Sequence, residues 1–135
     1  MNWKSIDQKE FFTDLSRESR GNIQVSPYSI PEAFRVLVAP DRDDVILEFK
    51  YISPDSTFEN LRLIDGVLLE VGKETKRIYK FILESGHHSN PKDCMNLLNL
   101  AIEALASKSR KSVSRDKVSW RLLDRNRAEL ANAIK

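Results

Sequence analysis

The sequence predicts an α+β fold: a four-stranded antiparallel meander sheet with one N-terminal and two C-terminal helices packed on it. Two patterns support this prediction. Apolar and polar residues alternate over much of residues 33–84, as in strands, whereas apolar residues recur every three or four positions before residue 19 and after residue 90. The length of 135 residues suits one domain that folds without a disulfide or a metal.

The first helix is expected over residues 5–19. Ser5 and Gln8 have the spacing of a capping box, in which each side chain satisfies a backbone N–H at the helix start. Gly21 can supply the left-handed residue that ends a helix. Pro27 and Pro31 then predict an extended connector, because proline disrupts a helix interior.

The clearest hairpin joins residues 33–39 to residues 45–52 through the polar turn at residues 40–43. A third strand is expected over residues 61–71, with a bulge at Gly66, since glycine inside a strand often marks one. A fourth strand follows at residues 77–84. Short connections between all four strands predict the meander.

The second helix is expected to start at Asn90, with Pro91 at its first position and Asp93 near its positive end. Residues 107–115 combine four serines with basic residues and predict a flexible connector. A third, basic helix is expected over residues 116–135. The chain is thus interpreted as one domain with an acidic body at residues 1–106 and a basic C-terminal helix.

Charge is unevenly distributed along the chain. The 22 Lys and Arg residues against 20 Asp and Glu residues leave a net charge of +2, but residues 1–106 carry −4 and residues 107–135 carry +6. One alternative function is therefore nucleic-acid binding through phosphate contacts of the C-terminal segment. The other explanation is a solvated helix face that partly neutralises the acidic body. The candidate phosphate ligands are Lys108, Arg110, Lys111, Arg115, Arg121 and Arg125.

A second alternative depends on Asp41 and the triplet Glu48-Phe49-Lys50. This arrangement resembles the core motif of the PD-(D/E)xK nuclease family. The resemblance implies a divalent metal held by Asp41 and Glu48, with Lys50 stabilising the attacking water or the transition state. The competing explanation is that Glu48 and Lys50 form the water-facing side of a strand, opposite residues such as Arg35.

Other chemistry has little support in the sequence. His87, His88 and Cys94 are possible zinc ligands, but adjacent histidines point apart and a second ligand pair is missing. The sequence contains no Walker loop, dinucleotide-binding glycine motif, nucleophile elbow or zinc-protease motif. Catalysis is disfavoured, and we expect no metal or other cofactor.

The favoured hypothesis is a non-catalytic protein–protein interaction module, either a homodimer or a partner-binding adaptor. Both edges of a meander are free for pairing. The short apolar runs, the N-terminus without a signal sequence and the lone Cys94 predict a cytoplasmic protein that does not enter membranes. The expected interaction surface consists of residue types that are common in interfaces or carry charge on the sheet: Arg35, Lys50, Tyr51, Tyr79, Lys80 and Trp120.

Overall fold

The α+β class is confirmed in a computed structural model of the chain, which describes residues 3–19, 29–38, 44–84, 91–110 and 116–134. These residues form a six-stranded antiparallel sheet and four helices. The strands are β1 (Lys4–Ser5), β2 (Ala33–Val38), β3 (Val45–Lys50), β4 (Phe58–Ile64), β5 (Val67–Gly72) and β6 (Ile78–Leu83). The helices are α1 (Gln8–Ser19), α2 (Pro91–Arg110), α3 (Asp116–Arg125) and α4 (Arg127–Ile134).

The predicted four-stranded meander is wrong in strand number and in order. The spatial order is β1-β2-β3-β6-β5-β4, so β3 pairs with β6 and not with its successor in sequence. The expected third strand is in fact the hairpin of β4 and β5. Its two-residue turn is Asp65-Gly66, where Gly66 has a φ of 86°. An Asp-Gly pair between apolar segments favours such a tight turn over a bulge, because glycine readily adopts positive φ.

The start of the first helix also differs from the prediction. Ser5 lies in the short edge strand β1, which pairs with β2, and so does not cap a helix. Asp7 caps α1 instead: its Oδ1 accepts a hydrogen bond of 3.0 Å from the backbone N–H of Glu10. Gln8 donates through Nε2 to the carbonyl of Ile30 at 2.8 Å, which ties α1 to the strand entry. Gly21 and Pro27 lie outside the described residues.

The hydrophobic core lies between one face of the sheet and the helices. Cross-strand partners such as Leu47 and Phe81 are almost fully buried and belong to the same cluster as Leu98 of α2 and Leu122 of α3. The Phe49 and Phe81 rings meet edge to face, with centroids 6.3 Å apart. All helices contribute apolar side chains to this cluster, including Phe11 of α1 and Leu130 of α4. We call the opposite side of the sheet, away from the described helices, the open face.

The C-terminal helices differ from the prediction at two points. Helix α2 continues to Arg110, so the beginning of the expected connector is helical, while residues 111–115 lie outside the described residues. The single third helix is divided at Asn126 into α3 and α4. The backbone N–H of Asn126 still donates to the carbonyl of Leu122, at 3.2 Å, and its side-chain amide donates to the same oxygen at 2.8 Å. A side chain that competes for a helix carbonyl in this way favours a local break.

Candidate interaction surface

The strand registers place two rows of side chains on the open face. Because side chains alternate between the faces of a strand, residues paired in register share a face. One set, which we call the charge row, crosses four neighbouring strands in the order Arg35, Glu48, Lys80 and Glu70. Two residues further along, the apolar row crosses the same strands in the order Leu37, Ile46, Ile82 and Leu68.

The charge row alternates strictly in sign. Arg35 Nη2 lies 3.0 Å from Glu48 Oε1, and both side chains are half-buried. Lys80 Nζ lies 3.8 Å from Glu70 Oε2 in the next pair along the row. Each pair is a cross-strand ion pair of the kind that stabilises a solvated sheet face modestly. The row is therefore electrically neutral as a whole, but its charges are ordered +, −, +, − from β2 to β5.

The apolar row is separate from the hydrophobic core. Its four side chains are half-buried, yet none of them is among the described residues of the hydrophobic cluster or those packed against it. At the β4 side the row ends at Arg62, which pairs in register with Leu68 and forms an ion pair with Glu84. Four neighbouring strands thus carry apolar side chains on the face away from the helices.

Trp3 extends the open face beyond β2. Its ring lies 4.2 Å from the Arg35 guanidinium carbon and 5.9 Å from Lys50 Nζ, both measured to the ring centroid. Lys50 also pairs with Glu32 at 3.6 Å. Stacking an aromatic ring on a guanidinium is favourable electrostatically and holds the arginine in one orientation. The open face therefore presents an ordered aromatic and cationic rim.

The structure separates the predicted interaction residues into two groups. Arg35, Lys50 and Lys80 lie on the open face, as expected. The expected exposure of Tyr51 and Tyr79 is wrong, because both are buried and belong to the hydrophobic cluster. Trp120 is partly buried against the same cluster, with the Arg121 guanidinium 4.3 Å from its ring centroid. The aromatic residues chosen by composition thus stabilise the fold at these three positions.

The two tyrosines belong to a buried polar cluster, formed with Asp55, Thr75 and Arg77, at the end of the sheet where β3 and β5 finish. The Tyr79 hydroxyl donates to Asp55 Oδ1 at 2.9 Å and accepts from Arg77 Nη2 at 2.8 Å. The backbone N–H of Asp55 also donates to that hydroxyl, at 2.7 Å. The Tyr51 hydroxyl donates to the Ile78 carbonyl at 2.7 Å. All hydrogen-bonding positions of the Tyr79 hydroxyl are therefore used.

Asp55 is the centre of this polar cluster. Its Oδ2 accepts hydrogen bonds from the backbone N–H groups of Glu74 and Thr75 at 3.0 Å and 2.9 Å. Burial alone would raise the pKa of the Asp55 carboxyl, but the hydrogen bonds from Thr75, Tyr79 and Arg77 outweigh that effect and lower it well below its usual value. Burial raises the pKa of the Tyr51 hydroxyl. These interactions join the loop after β3 to the β5–β6 turn.

Residues of the nuclease alternative are only partly described. Asp41 lies outside the described residues. Glu48 and Lys50 share the open face, where they pair with Arg35 and Glu32 respectively. Asp44, the acidic residue that precedes β3, is four positions from Glu48, or about 13 Å along an extended strand. In the described part of the chain, no three His, Cys, Asp or Glu side chains are grouped so that they could hold a metal.

The basic C-terminal residues are engaged in several ways. Arg125 pairs with Glu10 at 2.9 Å and with Asp14 at 3.1 Å, so it fastens α3 to α1. Lys108 and Arg110 lie in the last turn of α2, whereas Lys111 and Arg115 lie outside the described residues. Since two acidic partners neutralise Arg125, the structure adds no support for phosphate binding there, and the nucleic-acid alternative remains a prediction.

A small cavity and a buried cysteine lie on the helical side of the molecule. A cavity of about 170 Å³ between α1 and α3 is lined by Asp7, Glu10, Phe11 and Arg125 among others. Its charged groups are the Arg125–Glu10 ion pair and Asp7, which caps α1. Cys94 is buried, and burial raises the pKa of its thiol to about 11. A thiol that is protonated and inaccessible is not a nucleophile at neutral pH.

Comparison with known proteins adds no functional information. No family model matches the sequence, and neither a curated protein nor a solved structure matches it. Among the described helices, none has the length and apolar character needed to cross a membrane.

A signal for the open face was nevertheless present in the sequence. Three strands contain runs of three apolar residues: Val45-Ile46-Leu47, Val67-Leu68-Leu69 and Phe81-Ile82-Leu83. A strand with one solvated face alternates between apolar and polar residues, whereas a strand covered on both faces is continuously apolar. The runs therefore mark where both faces are apolar, and only the register shows that their middle residues form one row.

Proposed function

We propose that the protein is a non-catalytic protein–protein interaction module that binds its partner through the open face. The observation that carries this proposal is the apolar row: four half-buried aliphatic side chains on adjacent strands, on the face opposite the helices. When a partner removes apolar side chains on a solvated sheet face from water, the free energy falls, and this favours binding.

The surroundings of the row have the composition of an interface. The charge row lies alongside it, and Trp3 and Arg35 form one rim. Interfaces combine an apolar centre with a polar rim, and Trp and Arg contribute more than their share of binding energy. The ion pairs within the charge row keep their charges ordered before binding, which reduces the entropy lost on association.

Substitutions on the open face test the proposal. Leu68→Lys and Ile82→Lys place a charge in the apolar row, and Leu100→Lys is the matched control, because Leu100 lies on α2 with 55% of its surface exposed. Each purified, tagged protein is mixed with extract of the native host, and the bound proteins are identified and quantified. A second copy of the chain counts as a partner.

We expect wild type and Leu100→Lys to retain the same partner, and both open-face variants to lose at least 90% of it, equivalent to about 1.4 kcal/mol or more of binding free energy. Circular dichroism and thermal melting establish that the variants are folded. Equal retention by the folded open-face variants and wild type would reject the proposal.

A further inference from the structure

The order of signs along the charge row has a consequence for what can cover the open face. From β2 to β5 the row is +, −, +, −. In the opposite direction, from β5 to β2, the row is −, +, −, +, so the sign at every position is the opposite one. A surface that meets the row in the reversed direction with the same spacing is therefore complementary to it at all four positions, and the open face of another copy is such a surface.

We infer that the open face binds a second copy of the chain, related by a twofold axis that runs parallel to the strands between β3 and β6. This inference rests on the proposed interaction function of the open face. Rotation about that axis places β2 opposite β5 of the second copy and β3 opposite β6. Arg35 then faces Glu70 of the second copy, and Glu48 faces its Lys80.

The apolar row obeys the same operation. Rotation about an axis parallel to the strands leaves the position of each row along the strands unchanged. The apolar row of one copy therefore meets the apolar row of the other. Leu37 then faces Leu68 of the second copy, and Ile46 faces its Ile82. An axis across the strands would instead bring identical charges together or place charges on the apolar row. Charge and hydrophobicity thus select the same axis, and a twofold interface must be self-complementary in this sense.

The geometry of sheets permits this arrangement. Two twisted sheets that pack face to face keep their strands within about 30° of one another and lie about 10 Å apart. The four strands that the rows cross, at about 4.8 Å spacing and with six residues at about 3.4 Å rise, give a face of roughly 400 Å². Two such faces bury about 800 Å², to which β1 and β4 add where they face one another across the axis, so the interface lies at the small end of the range for specific interfaces.

The twofold arrangement can be tested by exchanging the two charges within one cross-strand ion pair of the charge row. In the first variant, Arg35→Glu with Glu48→Arg, the β2–β3 pair is kept but its order is reversed. The second variant, Lys80→Glu with Glu70→Lys, does the same for the β6–β5 pair. In either variant alone, all four facing positions between two identical copies carry like charges. The variant with all four substitutions again has opposite charges at every facing position.

Sedimentation equilibrium and light scattering between about 1 and 200 μM measure the assembly. We expect wild type to be a dimer and each two-residue variant to have its Kd raised about 100-fold or more, because like charges facing across an interface are strongly unfavourable. The four-residue variant should recover the dimer. A mixture of the two two-residue variants should form a one-to-one heterodimer, since every facing pair between them is opposite in sign.

The outcomes separate this inference from the proposed function. A monomeric wild type at 200 μM overturns the second copy as partner, and so do two-residue variants that are folded and dimerise as tightly as wild type. In either case the interaction function of the open face still stands if Leu68→Lys removes a captured partner that Leu100→Lys retains. If the face substitutions change neither self-association nor capture, both the inference and the proposed function are rejected.

Discussion

The guanidinium of Arg77 lies 3.0 Å from the carboxylate of Asp55, and the two side chains are 6% and 1% exposed. The Arg77 guanidinium also lies 4.4 Å from the Tyr51 ring centroid and donates to the carbonyl of Ser53. This buried pair therefore organises the polar cluster that connects the loop after β3 to the β5–β6 turn.

Removal of one member of the pair should be strongly destabilising. Asp55→Ala leaves the Arg77 guanidinium buried without its carboxylate, and we expect a loss of about 3–5 kcal/mol in the free energy of unfolding. Urea denaturation followed by circular dichroism measures this loss. The control is Glu59→Gln, which breaks the exposed pair with Lys76 at 3.1 Å and should cost less than about 1 kcal/mol. Similar losses in the two variants would contradict the role assigned to burial.

Stability should fall in acid partly because of Asp55. Its folded-state pKa lies below the value of about 3.9 expected in the unfolded chain. The folded state therefore favours the charged carboxylate more than the unfolded chain does. The stability that this charged form contributes is present above pH 4 and is lost as the pH falls through the folded-state pKa. Urea denaturation between pH 5 and pH 2.5 should show a shallower acid dependence for Asp55→Asn than for wild type. Identical slopes would exclude this contribution.

Gly72 should tolerate no larger residue. A Cβ at this position would lie 2.2 Å from Asp55 Oδ2 and 2.9 Å from Tyr79 Cε1. We expect Gly72→Ala to cost about 2 kcal/mol or more, because the buried cluster cannot move away. The cost should be smaller in the Asp55→Ala background, where the nearest atoms are missing, and a double-mutant cycle in urea measures the difference. Simple additivity would show that the clash is relieved elsewhere.

Cys94 should be unreactive in the folded protein. Its side chain is 1% exposed, and burial raises the pKa of the thiol to about 11. At pH 8 we expect a thiol reagent such as DTNB to label the native protein only as fast as it unfolds, and to label it completely in concentrated urea. Faster labelling of Leu98→Ala, a core substitution in the same helix, would support a reaction that requires unfolding. Rapid labelling of the stable native protein would show that the thiol is accessible.

Local signals in the sequence determined the class of the fold and most of its elements. The alternation over residues 33–38 and 45–50 predicted β2 and β3, and Pro91 and Asp93 marked the start of α2. These predictions succeeded because they depend on neighbouring residues, on strand periodicity and on hydrogen bonding at helix ends. The Asp-Gly turn was also readable, but interpreting Gly66 as a bulge merged two strands.

The strand order and the functions of the aromatic residues were decided only by tertiary structure. Pairing of β3 with β6 joins segments more than thirty residues apart, and no local pattern specifies which strands become neighbours. That pairing aligns Glu48 with Lys80 and Ile46 with Ile82, and so creates both rows of the open face. Tyr51 and Tyr79 are buried where two loops meet, because Asp55 in the loop after β3 bonds to Tyr79 of β6 and Arg77 stacks on Tyr51. The sequence alone determined which strands carry apolar residues on both faces, whereas the register decided that those residues form one surface.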